Sequence, residues 1–436
     1  MRKEIIRFFK KPFLRDVAMV SAGTIAAQVI TVVSSPILTR LFPPEDFGIL
    51  AVFVSSSAIL AVLYTLQYDM AVVLPKEDGD AKVLLGMAAK LALWFFAALS
   101  LLATIAFFIP FLKLTGFRDV PVYTPLLVVL GGFLIAMERS FSYWNVRQKS
   151  FQLISIALTV GALLSAMFKI TTGFLAAGAW ILIFGNLLSN FVNISMQIFY
   201  GKNGEVLKDS FKKLSDKMKS QSIFREYSDF PKYRMPQSLI NTIGKNLPAI
   251  LLVALFNPAI GGFYALAYRM INMPGSLISE AIRKVFYQKS AELRSKKSGF
   301  FSEMLKTTIW LAVGGLVPFG LLAVMSPYIF PFVFGDEWYT AGVYASYLTL
   351  WTYTAFCNTP ATSVMPVLRQ QRRYLIFNIV NLIARVAVLF FAALTGGPME
   401  AIIYLSAAGM FYNIIIIIDV HIQAYRDQKL ITQLKQ

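Results

Sequence analysis

The sequence predicts an all-α, polytopic membrane protein with about 12 transmembrane helices, arranged as two pseudo-symmetric six-helix lobes around a central cavity. The first observation is composition: 57% of the 436 residues are hydrophobic and only 15% are charged, whereas about a quarter of the residues of a soluble protein are charged. The apolar residues form segments long enough to cross the roughly 30 Å core of a bilayer. The other two observations are an alternation of basic residues between connections and an internal repeat.

The distribution of lysine and arginine predicts the topology. Of the 41 basic residues, 32 lie in or next to alternate connections or near the chain ends, four lie in or next to the other connections, and the remaining five are counted with the spans. Because basic loops stay on the cytoplasmic side, we expect both termini there, with the net charge of +18 facing anionic lipids rather than nucleic acid. The predicted spans are residues 16–38, 48–68, 83–111, 122–143, 151–172, 176–199, 236–256, 260–284, 305–330, 342–367, 374–395 and 400–422.

The segments outside the spans divide the chain. Residues 1–15 are basic with apolar residues at helical spacing, which predicts a short interfacial helix and no removed signal peptide. The one long connection, residues 200–235, carries apolar residues at steps of four, three and four, which predicts an amphipathic helix on the cytoplasmic membrane surface. The N-lobe is therefore expected at 16–199, the C-lobe at 236–422 and a cytoplasmic tail at 423–436. The apolar positions in the connection are Leu207, Phe211, Leu214 and Met218.

The two halves share a motif at equivalent positions. Leu41–Ala51 joins the first two spans, and Leu255–Ala265 joins the seventh and eighth. Both read L-F-x-P-x-x-x-G-x-x-A, with proline ending one helix and glycine allowing the next to approach closely. Since each half has an even number of spans, the halves are expected to be related by an axis along the membrane normal.

Charged residues inside spans are the main candidates for function. A charge near the bilayer centre costs about 2.5–3.5 kcal/mol on insertion scales. Lys245 and Arg385 lie near mid-span and Arg269 is eight residues from the outer side, so we expect all three to line a water-filled cavity, with pairing to helix carbonyls as the alternative. Lys90 and Arg139 lie nearer the inner surface, where extension towards the headgroups is the alternative explanation.

Amide side chains recur around these cations. They lie at helical spacing on the sixth, seventh and eleventh spans, which indicates either a polar cavity wall for a hydroxyl-rich ligand or hydrogen bonding between helices. The candidates are Asn186, Asn190, Asn193, Asn241 and Asn381, with Gln197, Gln237 and Asn378 beside them.

The sign of the buried charge favours an anionic passenger. Acidic residues are expected only at the ends of spans, Glu138 among them, whereas a cation-binding core needs a buried carboxylate. The segment Asn272, Met273, Pro274 and Gly275 is predicted to interrupt the eighth span beside Arg269. We interpret Asn272, Pro274 and Gly275 as a hinge, with a simple proline kink as the alternative.

Residues suited to catalysis are scarce. His421 is the only histidine, at the inner end of the last span, and Cys357 is the only cysteine. Asp78, Gly79 and Asp80 could bind a metal–nucleotide, but they also suit a helix start. We therefore expect no catalytic residue, metal or cofactor.

Four segments then carry a resemblance that covers nearly the whole chain: Thr39–Gly48, Phe230–Pro236, Gly262–Arg269 and Phe334–Trp338. Together they resemble the Wzx-type lipid-linked oligosaccharide (O-antigen) flippases of the multidrug/oligosaccharidyl-lipid/polysaccharide transporter superfamily. The resemblance implies a monomer in the bacterial inner membrane that flips an undecaprenyl-diphosphate-linked glycan, with membrane lipids and a glycan polymerase complex as further partners.

The expected mechanism is alternating access, in which Lys245, Arg269 and Arg385, with Lys90 and Arg139, neutralise the diphosphate while amides bind the sugars. Three alternatives remain open. A small-molecule or multidrug antiporter of the same fold predicts a mid-membrane carboxylate. A flippase for another prenyl-linked precursor usually has fourteen spans, and a glycan polymerase or acyltransferase predicts a long catalytic outer loop.

Overall fold

The computed structural model describes residues 12–108, 124–201, 203–295, 299–368 and 370–433, and within these ranges the chain forms helices and turns without a strand. A π-helical turn at Phe230–Arg234 and a 3-10 turn at Asp336–Trp338 join longer elements. The α-helices are α1 Pro12–Leu41, α2 Pro44–Tyr64, α3 Tyr68–Ala71, α4 Asp78–Phe108, α5 Thr124–Arg147, α6 Phe151–Gly173, α7 Ala179–Phe199, α8 Asn203–Leu214, α9 Lys217–Glu226, α10 Met235–Leu255, α11 Pro258–Ser295, α12 Phe301–Phe334, α13 Tyr339–Cys357, α14 Thr359–Val364, α15 Gln371–Thr395 and α16 Pro398–Gln433.

Ten helices of the described ranges are long and apolar enough to cross a membrane. The predicted spans 260–284 and 342–367 fall on α11 and α13, which are not among the ten, so the count of twelve stays a prediction. Large apolar side chains such as Trp310, Val317 and Val324 of α12 are about 70% exposed. Exposed apolar faces of this size suit lipid rather than water, and the predicted all-α, polytopic membrane fold is confirmed.

The chain divides into two compact units, one ending at Ile250 and the other beginning at Leu251. This boundary lies inside α10, whereas the sequence predicted the C-lobe to begin at residue 236, so the lobe limits stay a prediction. In the first unit α5 packs against α2, α4 and α7, and α6 packs against α7. In the second unit α13 packs against α11, α12 and α16, and α15 packs against α16.

These two sets of helix pairs occupy the same order along each half. The spans that follow the shared motif, α2 and α11, each begin at a proline, Pro44 and Pro258. Proline suits the first position of a helix because the amide hydrogen it lacks would have no partner there. The internal repeat predicted from a short motif therefore has a counterpart in the packing of each unit.

The connection between α7 and α10 forms two helices rather than the single amphipathic helix predicted. Asp216 separates them, and its side chain accepts a hydrogen bond from the Lys219 main-chain amide at 3.2 Å, which caps α9. Val206 and Leu214 of α8 pack on an apolar cluster of α3 and α4. Met218, expected on the apolar face, is exposed. Part of this face is therefore buried against protein.

Helix α8 sits directly on α4. A Cβ atom at Gly86 would lie 2.8 Å from the Ser210 carbonyl oxygen, so the two backbones are in close contact there. Lys82 donates to Asp209 at 2.7 Å, and the Lys219 ammonium lies 2.8 Å from an Asp80 oxygen. The Asp78–Asp80 segment begins α4 and Asp80 makes the contact with Lys219, in agreement with a helix start.

The predicted interruption of the eighth span is wrong. Helix α11 continues through Asn272, Pro274 and Gly275 as one element of 38 residues. Proline removes one main-chain donor, and a long helix can absorb that loss when its neighbouring turns stay bonded. The hinge role of these three residues stays a prediction. The predicted tail is helical as far as Gln433, and most of the predicted interfacial helix lies outside the described residues.

Candidate functional site

A buried arginine lies at the centre of the second unit. Arg385 follows the first residue of α15 by fourteen positions, about 21 Å along a helix some 37 Å long. Arg385 is only 7% exposed. The guanidinium carbon lies 4.3 Å from the centroid of the Trp351 ring of α13, which is the geometry of a cation–π contact.

Two tyrosines extend this contact into a column of rings. Tyr268 lies 5.2 Å from Trp351 with an interplanar angle of 29°, and Tyr264 lies 5.7 Å from Tyr268 at 12°. Tyr264 and Tyr268 share one face of α11 because they are four residues apart. Both hydroxyl groups lie within electrostatic range of Arg385. The column therefore runs from Tyr264 to Arg385 across three helices.

The position of Trp351 is fixed from the other side by α16. A Cβ atom at Gly409 would lie 2.5 Å from Trp351 Cδ1. An indole ring is rigid, so this approach requires glycine, and the ring rests against the α16 backbone. Local sequence patterns do not predict this contact, because Trp351 and Gly409 are far apart along the chain.

Polar atoms surround the buried cation. Asn381 lies one turn before Arg385 on α15, and its Oδ1 atom is buried with no hydrogen-bond partner among the described residues. The hydroxyl of Tyr264 is in the same state. Asn378, a further turn along, accepts a hydrogen bond from the Tyr412 hydroxyl at 2.9 Å. The predicted amide face of α15 contains both residues. Asn378 is hydrogen-bonded within the second unit, whereas the acceptor atom of Asn381 has no hydrogen bond within the described ranges.

Three of the other four predicted cations are exposed. Arg269 follows Tyr268 on α11 and is exposed, as are Lys245 on α10 and Lys90 on α4. Among the predicted cations, Arg385 is therefore the one that is buried within the described residues. Lys90 and Lys245 belong to the first unit, and Arg269 and Arg385 belong to the second.

Arg139 of α5 has an acidic partner in the first unit. Its Nη2 atom lies 2.9 Å from Asp69 Oδ2, and Asp69 also accepts from the Thr65 hydroxyl at 2.7 Å. Asp69 is fully buried at the start of α3. Leu66 and Gln67 have positive φ angles of 47° and 65°, a tight turn that presents Asp69 to α5. Sequence reasoning missed this pair.

Glu138, next to Arg139, was predicted to lie at the end of its span, and its position in the structure differs. Helix α5 runs to Arg147, beyond the predicted end at residue 143, so Glu138 lies near the middle of the helix rather than at its end. Its carboxylate accepts hydrogen bonds from Ser142 at 2.9 Å and Asn193 at 3.3 Å. Glu138 therefore lies nine residues before the last residue of α5, further from the helix end than predicted.

The amides of α7 serve different purposes. Asn193 is buried, donates to Glu138 and accepts from Gln197 at 2.8 Å. Gln197 also accepts from Asn145 at 2.9 Å, and Asn145 accepts from Asn203 at 3.0 Å. These bonds form a continuous polar line from α8 to Glu138. Two other predicted amides, Asn190 and Asn241, are half-buried, and Asn186 donates to the Leu182 carbonyl of its own helix at 3.1 Å.

The fold defines a multi-pass, all-α membrane protein. Residues 37–342 match the family model described as "Polysaccharide biosynthesis protein", and the chain belongs to this family. It is 22% identical over 88% of its length, and 74% of the relative's, to the succinoglycan biosynthesis transport protein ExoT of Rhizobium meliloti (strain 1021). It is 20% identical over 70% of its length to the lipopolysaccharide biosynthesis protein WzxC of Escherichia coli (strain K12), covering 60% of that relative.

Solved structures show the same fold. The chain matches the inward-facing conformation of a multidrug resistance MATE family transporter of the MOP superfamily with a TM-score of 0.71 and 13% identity, covering 92% of this chain and 96% of that one. It matches the lipid II flippase MurJ in its inward closed conformation with a TM-score of 0.62 and 11% identity, covering 95% and 91%. The resemblance to Wzx-type transporters drawn from sequence is confirmed.

Proposed function

We propose that this protein flips an undecaprenyl-diphosphate-linked oligosaccharide from the cytoplasmic to the periplasmic leaflet of the bacterial inner membrane by alternating access. Family membership and the two curated relatives, whose names concern succinoglycan transport and lipopolysaccharide biosynthesis, support the substrate class. The distribution of basic residues supports cytoplasmic termini. The protein acts as a monomer and delivers its substrate to a glycan polymerase complex.

The observation that carries the proposal is the cation buried in the second unit. A diphosphate cannot cross hydrocarbon unless its charge is compensated, and a guanidinium binds phosphate oxygens with two parallel hydrogen bonds. Arg385 is held by Trp351 with its charge inside the membrane helices. Arg269, exposed on α11 beside Tyr268, supplies a second guanidinium, and Lys245 and Lys90 supply accessible ammonium groups in the first unit.

The membrane potential favours this direction of transport. Moving two uncompensated negative charges outward gains on the order of 4–5 kcal/mol per 100 mV. The prenyl chain stays in the bilayer throughout, so the protein has to shield only the diphosphate and the sugars.

The test is transport by purified protein in liposomes, using lipid-linked saccharides extracted from the producing cells. Arg269→Ala and Arg385→Ala should abolish transport while the protein stays folded and inserted. The control is Arg283→Ala, which removes an exposed arginine about 21 Å from Arg269 along α11. This variant should retain transport. Wild-type rates in both test variants would contradict the proposal.

Glu138 favours a second candidate function, a cation-coupled antiporter for small molecules. A carboxylate near the middle of α5, bonded to a hydroxyl and an amide, can bind a proton or cation. An antiporter predicts that the protein exports cationic drugs, that Glu138→Gln stops this export, and that lipid-linked saccharides do not move. A flippase for another prenyl-linked precursor would instead move that precursor in the same liposomes.

A further inference from the structure

Among the buried polar atoms of the second unit that have no hydrogen-bond partner, two belong to neighbours of Arg385. The Tyr264 hydroxyl and Asn381 Oδ1 both lack a hydrogen-bond partner among the described residues. Burying such atoms without a partner destabilises a protein, and phenylalanine or leucine at these positions would remove the cost. Tyr264 lies within electrostatic range of Arg385, and Asn381 lies one helical turn before Arg385 on α15. Their arrangement points to a ligand.

The chemistry of the two atoms limits what that ligand can be. An amide oxygen accepts hydrogen bonds only, whereas a phenol hydroxyl can donate one. A diphosphate at neutral pH offers acceptors and cannot satisfy Asn381 Oδ1. A sugar hydroxyl both donates and accepts, so adjacent hydroxyls of one saccharide can satisfy both atoms.

The rings beside these atoms suit the same ligand. A pyranose has a face of C–H groups that stacks on an aromatic ring and an edge of hydroxyl groups that needs hydrogen bonds. In the described conformation the rings of Tyr264, Tyr268 and Trp351 stack on one another, so a ring face becomes available to a sugar when the column opens. Pockets that combine aromatic walls with a few placed polar groups are typical of small-ligand sites. Arg385 at the end of the column would meet the phosphate that joins sugar to lipid.

We propose that Tyr264, Tyr268, Trp351 and Asn381 form a saccharide subsite within the second unit, with Arg385 marking its phosphate end. This inference rests on the proposed function and deepens it by assigning the sugar and the diphosphate to different residues. In the described conformation Tyr264 and Trp351 are buried, so the subsite opens when the substrate enters.

The test compares two lipids in the same liposomes: lipid-linked saccharides extracted from the producing cells, and bare polyprenyl diphosphate. Tyr264→Phe removes one oxygen atom and preserves the ring column. It should lower transport of the saccharide lipid about three- to tenfold, the value of one neutral hydrogen bond, and leave transport of bare polyprenyl diphosphate unchanged. Its unfolding midpoint should be equal to or higher than that of the wild type, because an unpartnered buried hydroxyl is lost.

Tyr353→Phe is the matched control in the same unit. The Tyr353 hydroxyl donates to the Ala312 carbonyl at 2.8 Å, so its removal should lower the unfolding midpoint and leave the preference between the two lipids unchanged. Asn381→Leu should repeat the effect of Tyr264→Phe.

The outcomes separate this inference from the proposed function. If the wild type moves the saccharide lipid and both Tyr264→Phe and Asn381→Leu match it, the subsite is refuted and the flippase function stands. If both variants slow the two lipids equally, the residues do not recognise the sugar. If the wild type moves neither lipid, the proposed function is wrong and the subsite with it.

Discussion

Arg139 has two competing roles, and its ion pair with Asp69 allows them to be separated. The sequence placed Arg139 among the cations that neutralise the substrate, whereas the structure bonds it to Asp69 at 2.9 Å. If the pair is structural, removing either residue destabilises the protein, and removing both costs less than the sum of the two single losses. If Arg139 binds substrate, stability and transport respond differently.

The magnitude follows from the burial of each partner. Breaking a buried ion pair by removing one residue costs about 3–5 kcal/mol, because the other charge remains without compensation. Arg139 keeps 26% of its side chain exposed while that of Asp69 is 0% exposed. Asp69→Asn, which leaves the better-solvated charge, should therefore cost about 3 kcal/mol, and Arg139→Gln, which leaves the buried carboxylate, about 4–5 kcal/mol.

The double variant carries the decisive information. Asp69→Asn combined with Arg139→Gln leaves no uncompensated charge, and its cost should fall below the sum of the single costs by about 2 kcal/mol. The free energy of unfolding would be measured by denaturant titration in detergent micelles, and transport in liposomes per folded molecule. The control is Asp78→Asn, which removes a 64% exposed carboxylate from Arg147. Because Arg147 still donates to the Pro75 carbonyl at 2.6 Å, this change should cost less than about 1 kcal/mol.

Two results would refute this reasoning. Strictly additive costs would show that the two side chains do not stabilise each other. A double variant that is stable yet inactive would show that Arg139 contacts the substrate.

Two further predictions concern packing and pH. Gly409→Ala should displace Trp351 from beneath Arg385, because the added Cβ would lie 2.5 Å from the ring. We expect the unfolding free energy to fall by about 1–3 kcal/mol and transport to be lost. Unchanged stability would mean that the ring is free to move. The Lys82 ammonium lowers the pKa of the Asp209 carboxyl, so this contact is present above about pH 4 and is lost as pH falls through the lowered pKa. The Asp80 carboxylate raises the pKa of Lys219, so that contact is complete below about pH 10 and is lost as pH rises further. The protection factors of the α8 and α9 amides, which correct for the intrinsic pH dependence of hydrogen exchange, should therefore be constant between these limits. Asp209→Asn should remove the change at acid pH, and a transition near pH 6 would contradict the assignment.

Much of the fold was predictable because the signals are local. The ends of the apolar segments agree with the helices to within a few residues in most cases: 151–172 against Phe151–Gly173, and 236–256 against Met235–Leu255. Proline at Pro44 and Pro258 begins helices in both halves for a reason that concerns one main-chain amide. Such features depend on residues adjacent in sequence, so the sequence suffices to find them.

The site was less predictable because its contacts join distant residues. Asn381 and Arg385 share a helix face that periodicity reveals, but nothing local places Trp351 beneath Arg385 or Tyr268 beneath Trp351. Asp69 and Arg139 are 70 residues apart, and the sequence treated them as unrelated. The continuity of α11 through Pro274 also depends on the bonding of the turns around it, which composition does not report.

The sequence by itself determined that this chain crosses a membrane many times, where most helices begin and end, and that its two halves are related. Hydrophobic length and the placement of basic residues are properties of the chain in one dimension, and the bilayer acts on them directly. Only the tertiary structure decided which buried charges have partners and which rings surround Arg385. Those contacts depend on how the helices are rotated and how closely they approach each other. If a helix turned a different face towards its neighbours, each of its side chains would contact different residues.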